Sequence, residues 1–247
     1  MKPLSIVVWL WGNKYTEQHV NVLSRAVKNN LSIPFTFYCI TDRTNKSLFD
    51  KDVMIVPLWE NLKELQLQYR RLYLHSEGMR EYFGERILQL DLEMIVLEDF
   101  THLVDSDLPF KIWKCPSTCS RGWMYNTSMM LMDTGYYSKV WDRYRHTPGK
   151  QIALKNSSKW LGSDQAILSL YLPANCPVWT KADGVYSYKM EIEPHTSYAI
   201  LPPSDAVIVA PYTKNYDPAK LLHNPWVKVY WEGYCQNDLD LVRKIWI

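Results

Sequence analysis

The chain has 247 residues with Lys+Arg 28 against Asp+Glu 26, enough for one large core and without the broad cationic field that drives nonspecific binding to nucleic acid. With 47% apolar and 22% charged residues, a disordered or collagen-like chain is excluded. Apolar runs such as Ile6 to Trp11 fall well short of the ~18 residues of a membrane span. The scattered, odd set of Cys39, Cys115, Cys119, Cys176 and Cys235 fits free thiols in a reducing cytoplasm better than a disulfide framework.

Leu4 to Leu10 is apolar and rich in β-branched residues, predicting a buried first strand; it runs into Trp-Gly-Asn-Lys with no cleavage site of a signal peptide. Thr16 to Asn30 carries Val20, Leu23 and Val27 at helical spacing behind a Thr16 cap. Strands are predicted at Pro34 to Thr41 and Val53 to Leu58, with Asp42 where the former ends, then a helix over Leu65 to Tyr82. Arg86 to Leu97 reads as a fourth strand, interrupted by two acids, entering the middle of the sheet.

Short strands at Phe110 to Lys114 and Ser128 to Met132 and helices at Gly135 to Tyr144 and Ser163 to Leu172 continue the alternation. From Pro173 prolines multiply and helix signals fade until Asn237 to Ile247, so this stretch is expected to wrap the sheet and close the site. The pattern predicts an α/β protein whose mostly parallel sheet, flanked by helices, binds ligands at the carboxyl ends of its strands. No repeat or linker divides residues 1–247, which are expected to form a single domain.

Nine glycines, none at the spacing of G-x-G-x-x-G or a P-loop, exclude the glycine-rich phosphate cradles. H-E-x-x-H and G-x-S-x-G are also absent, and Cys115 and Cys119 lack the second pair of a zinc site. Phosphates would therefore be met by metal and basic side chains. In Ile87 to Val96 (ILQLDLEMIV) an extended chain places Asp91 and Glu93 on one face. Two ionised carboxylates there repel each other, and the adjacent sequence offers no cation. Mg²⁺ or Mn²⁺, bound through oxygens and open to substrate phosphates, would resolve the conflict and predicts a diphosphate ligand. The alternative is a pair of solvated acids at a strand end, against which the apolar flanks Ile87, Leu88, Leu90 and Met94 to Leu97 argue.

Several segments stand in a suggestive order: Trp11-Gly12-Asn13-Lys14-Tyr15 after the first strand, Tyr69-Arg70-Arg71-Leu72, Leu90-Asp91-Leu92-Glu93, Tyr125-Asn126-Thr127-Ser128 and Gly162-Ser163-Asp164-Gln165. Together they resemble the nucleotide-sugar glycosyltransferases of the GT-A fold, especially glycosyltransferase family eight and its bacterial and viral relatives. The resemblance implies a single GT-A (Rossmann-like) domain, with 1–97 as nucleotide-binding half and 98–247 as acceptor-side half with a closing C-terminal segment. It implies metal-dependent transfer from a nucleotide sugar, a UDP-sugar by the family's habit, to a hydroxyl of a glycan or protein.

By the same resemblance Asp91 and Glu93 hold Mn²⁺ or Mg²⁺, and Arg71 contacts the phosphates or the carboxylates. Trp11, Gly12 and Tyr15 lie around the nucleobase, with Asp42 in the same donor-binding set. Asn126 faces the sugar or acceptor, while Asp164 and Gln165 lie beside the anomeric carbon. Asp164 would be a general base for inversion or a polar wall for retention, and a helix cap explains it equally well. Lys214 and Lys220 are further candidates to meet the leaving group, and Trp123 and Tyr186 to stack on sugar.

Two departures stand out. Glu93 replaces the usual aspartate, and Val207 to Pro211 lacks the family's late metal-binding histidine. His223, before Asn224-Pro225-Trp226, is either a displaced ligand or a packed side chain; Asp217 is another substitute, or the third ligand is missing. Alternative readings are a glycosyltransferase of hydroxymethylated viral DNA, with Arg121, Arg143, Arg145 and Lys150 on the phosphates, and an inactive carbohydrate-binding or nucleotide-sugar-binding module.

Overall fold

The computed structural model describes residues 2–65, 67–116, 123–147, 164–192, 201–211 and 224–243. Its β-α-β-β opening runs through β1 (Leu4–Leu10), α1 (Glu17–Asn30), β2 (Phe35–Thr41) and β3 (Val53–Pro57). Helix α1 starts at Thr16, whose amide donates to His19 Nδ1 at 3.1 Å, and it buries Val20, Leu23, Ala26 and Val27 as its periodicity requires. Every residue of β1 is buried. Ile6, Val8 and Leu10 pack into the core on one face and Val7 and Trp9 into that on the other, as expected of a strand covered on both sides.

The remaining strands of the main sheet are β4 (Arg86–Leu90), β6 (Phe110–Lys114), β7 (Tyr125–Asp133) and β8 (Val178–Trp179). Their order is β3-β2-β1-β4-β7-β6-β8, with β4 at the centre. Pairs β3-β2, β2-β1, β1-β4 and β6-β8 are parallel, whereas β7 runs antiparallel to both β4 and β6. A second sheet joins β5 (Ile95–Val96), β10 (Ile208–Ala210) and β9 (Val185–Ser187). The other helices are α2 (Glu60–Lys63), α3 (Met79–Phe83), α4 (Thr101–Val104), α5 (Ser138–His146), α6 (Asp164–Tyr171), α7 (Pro225–Gln236) and α8 (Leu239–Arg243).

Three expectations need correction. Leu65 to Tyr82 is not one helix: a 3-10 helix over Leu67–His75 is separated from α3 by a turn ending in Gly78, a poor helix former. The acids do not interrupt one strand, because β4 stops at Leu90 and Asp91-Leu92-Glu93 turn the chain, closed by Met94 N donating to Asp91 O at 3.1 Å. β5 beyond the turn belongs to the other sheet. Finally, the region expected to lack helix contains α7, where Trp226, Val227, Tyr230 and Tyr234 are buried at helical spacing. Pro225 starts that helix at a position where no amide is needed. At its other end Arg25 Nη1 donates to the carbonyls of Tyr234 and Cys235 at 2.7 and 2.9 Å.

Candidate active site

The rim at the carboxyl ends of β1, β2 and β4 also receives the start of β7, because that strand is reversed. Leu90 pairs with Met129, and Asp91 N donates to Ser128 O at 2.9 Å. The strand thus delivers three buried polar residues, Asn126, Thr127 and Ser128, beside the first acid. The 3-10 helix packs along this edge and contributes Arg71.

Arg71 joins the site together. Its Nε donates to Asp164 Oδ2 at 2.8 Å, Nη1 donates to Asp91 Oδ1, and Nη2 donates to the Thr127 hydroxyl and carbonyl. Burial alone would lower its pKa, but Asp164 and Asp91 raise it, so the charge is fixed. Asp164, 2% exposed as the first residue of α6, also accepts from the Gln165 amide at 3.0 Å. Burial pushes its carboxyl upward, Arg71 pulls it down and Asp91 adds to the rise. Asn126 Oδ1 accepts from Gln165 Nε2 at 3.1 Å and from Ser128 N at 2.9 Å. The structure therefore brings Arg71, Asp91, Asn126, Asp164 and Gln165 into one network.

Beyond the turn, Glu93 accepts from the Tyr15 hydroxyl, with Lys14 Nζ 3.8 Å away. Burial pushes the Glu93 carboxyl upward and Asp91 adds to that, while Lys14, Tyr15 and Arg71 oppose it. Cations absent from the local sequence thus come from distant segments. After β1, Gly12 has φ +63°, a backbone that L side chains rarely adopt. Its amide donates to Asp42 Oδ2 at 3.3 Å and its carbonyl accepts from Arg43. Trp11 lies beneath the Arg70 guanidinium, 4.9 Å from ring centroid to Cζ.

The fit to a divalent cation is a question of charge and lone pairs. Asp91 Oδ1 carries the Arg71 bond and Oδ2 accepts from the Ser128 hydroxyl at 2.7 Å, leaving each oxygen a further lone pair. Three carboxylates, Asp91, Glu93 and Asp164, face Arg71 and the more distant Lys14, so negative charge is in excess. Hard oxygen donors with surplus charge fit Mg²⁺ or Mn²⁺, which bind through one or two carboxylates together with substrate phosphates. Among the described residues no group of three or more His, Cys, Asp or Glu is placed to hold a metal ion. His223, Asp217, Lys214 and Lys220 lie outside the described residues, as do Arg121, Lys150 and Cys119.

Trp123 and Tyr186 are buried, and Tyr186 donates its hydroxyl to exposed Asp205 at 3.0 Å. Of the basic strip, Arg145 pairs with Asp142 at 2.9 Å and Arg143 lies over Tyr171. Sequence reasoning quoted Thr127, Ser128, Lys14 and Arg70 within its segments but gave none of them a role. The first two had a signal, consecutive polar residues in an otherwise apolar strand.

No protein-family model and no curated protein sequence matches the chain; the likeness is structural. Galactosyltransferase LgtC, solved with donor and acceptor sugar analogs, superposes with TM-score 0.60 at 13% identity, over 97% of this chain and 95% of that one. Glycosyltransferase GlyE of Streptococcus pneumoniae TIGR4 gives TM-score 0.64 at 13% identity, over 99% of this chain and 63% of that one. This chain has the GT-A fold. In GT-A terms the reversed β7 and the turn after β4 build the rim described above, and the chain spans a little under two thirds of GlyE.

Proposed function

We propose that the protein is a metal-dependent glycosyltransferase that moves a sugar from a nucleotide-sugar donor, a UDP-sugar, to a hydroxyl of a glycan or protein. The observation that carries this reading is the carboxylate cluster of Asp91, Glu93 and Asp164, organised by buried Arg71 at the ligand-binding rim of a GT-A fold. Asp91 and Glu93 would hold Mn²⁺ or Mg²⁺. When bound, the cation supplies Lewis-acid stabilisation of charge on the leaving diphosphate.

The chain's own residues do the rest. Arg71 aims Asp91, and the bond from its Nη1 leaves that carboxylate little freedom to swing away. Asp164 has an engaged oxygen on each side and is almost fully buried, so it serves as a positioning residue for Arg71 and not as a base reached by the acceptor. The Asn126–Gln165 amide pair borders the sugar, with the Gln165 side-chain carbonyl as acceptor and the Asn126 Nδ2 amino group as donor to orient hydroxyls. Residues 1–97 form the nucleotide half of this arrangement and 98–247 the acceptor half.

The test is donor turnover. With Mn²⁺ and a panel of nucleotide sugars, the wild type is expected to release nucleoside diphosphate slowly even without acceptor. Asp91→Asn keeps Arg71 paired with Asp164, so its circular dichroism should be unchanged while release falls by about 100-fold or more, the scale of a few kcal/mol of lost stabilisation. Metal-dependent donor affinity equal to wild type in that variant would refute the metal assignment.

A further inference from the structure

The resemblance places Tyr15 beside a nucleobase, yet its hydroxyl is engaged elsewhere: it donates to Glu93 Oε2, 78 residues along the chain. Lys14 Nζ stands 3.8 Å from that same oxygen and 4.8 Å from the centre of the Tyr15 ring. The Glu93 side chain is only 8% exposed. Two consecutive residues of the β1–α1 connection thus close over the second acid of the turn, while Asp91 is held from other directions by Arg71 and Ser128.

The two contacts differ in how firmly they are held. The Tyr15 ring meets His19 edge-on with 5.2 Å between centroids, and His19 meets Trp231 of α7 at 4.6 Å. His19 is itself fixed by the Thr16 amide, which donates to its Nδ1 at 3.1 Å. Tyr15 is thereby braced between the start of α1 and the C-terminal helix. Lys14, by contrast, is a long side chain, 49% exposed, and its contact with Glu93 is an ion pair of the kind that solvent and other cations replace readily. A divalent cation arriving at Glu93 would repel that ammonium. It would not conflict with a neutral hydroxyl, since a carboxylate oxygen has lone pairs for both, and a hydrogen bond to a ligating carboxylate orients it.

Resting on the metal-dependent reading, we propose that Lys14 and Tyr15 act on the loading of the cation in opposite directions. Tyr15 is a positioning residue that aims Glu93 at the ion, and Lys14 is an internal counter-charge that occupies the carboxylate until the ion displaces it. Without the ion, Lys14 offsets the charge of a nearly buried carboxylate that lies close to Asp91. With the ion, the metal supplies that offset and the ammonium moves out toward solvent. The chain therefore carries a competitor for its own cofactor, and affinity for the cation is set by these two neighbours as well as by the ligands.

The experiment measures Mn²⁺ binding to the whole chain, with no nucleotide present, from the loss of the free-ion signal in electron paramagnetic resonance. Tyr15→Phe removes one oxygen and leaves the ring against His19; it is expected to weaken binding about tenfold, the lower end of what an orienting partner of a metal ligand contributes. Lys14→Met is expected to tighten binding about threefold or more, and Lys14→Arg to return it to within about twofold of wild type. Lys28→Met removes the same charge from the surface pair with Asp52 and should stay within about twofold of wild type. A merely structural role for the two residues would not shift affinity in opposite directions. If Mn²⁺ binds the wild type but Lys14→Met binds it no tighter, or Tyr15→Phe no weaker, the proposal is overturned while the metal assignment stands. If the wild type binds no Mn²⁺, both fall.

Discussion

Arg71 carries one positive charge between two carboxylates and is almost fully buried, which makes its removal worse than the loss of two hydrogen bonds. Arg71→Met should leave Asp164 as an uncompensated charge, 2% exposed, and cost about 3–5 kcal/mol. Adding Asp164→Asn removes the stranded charge and should restore about 2 kcal/mol, read from urea midpoints of the single and double variants. At this scale the sequence was informative where chemistry is written in residue type. An arginine in an apolar helix face needs a buried partner, and Arg71 has two. It was silent on which cation reaches Glu93, since Lys14 and Tyr15 lie far away in the chain and only folding brings them near. Aromatic residues are less informative for the converse reason: Trp123 and Tyr186 serve packing as readily as sugar binding, and both are buried here.

Among the elements, the small sheet β5-β10-β9 shows how much can hang on one backbone position. Gly184, at φ +78°, precedes β9 and accepts from Val207 N at 2.8 Å. A Cβ there would stand 2.6 Å from Val207 Cγ2 and 2.8 Å from Asp205 O. Gly184→Ala combines a left-handed backbone with a clash against a carbonyl that cannot move aside, and should cost about 3 kcal/mol, visible as a lower melting temperature. This sheet was not legible in advance, because strands of two or three residues carry no readable alternation. The long strands and α1 were legible for the opposite reason, since their apolar spacing runs through several repeats. Helix α7 carried the right spacing in Trp226, Val227, Tyr230 and Tyr234, but its opening proline and its β-branched and aromatic residues masked a helix that tertiary packing sustains.

For the molecule as a whole, acid sensitivity has an identifiable source. His75 is 1% exposed, neither ring nitrogen has a hydrogen-bond partner among the described residues, and burial lowers its pKa from 6.5 to about 4. Between those values the unfolded chain binds a proton that the folded one refuses, so stability rises with pH through this window and is lost as pH falls from 6.5 toward 4. The slope from this group is about 1.4 kcal/mol per pH unit, on the order of 3 kcal/mol in all. His75→Met should flatten that limb and, by removing unpaired polar atoms, match or exceed wild-type stability at pH 7; urea midpoints across pH 4–7 would show it.

The reversal of β7 reaches further than its pairing pattern. A strand of nine residues is about 30 Å long, so the direction in which it is threaded decides which end of the slab receives its opening side chains. Laid the same way as its neighbour, it would have carried Asn126, Thr127 and Ser128 to the far side of the molecule. Laid head to tail, it lets a later part of the polypeptide set polar groups on a rim that earlier strands begin.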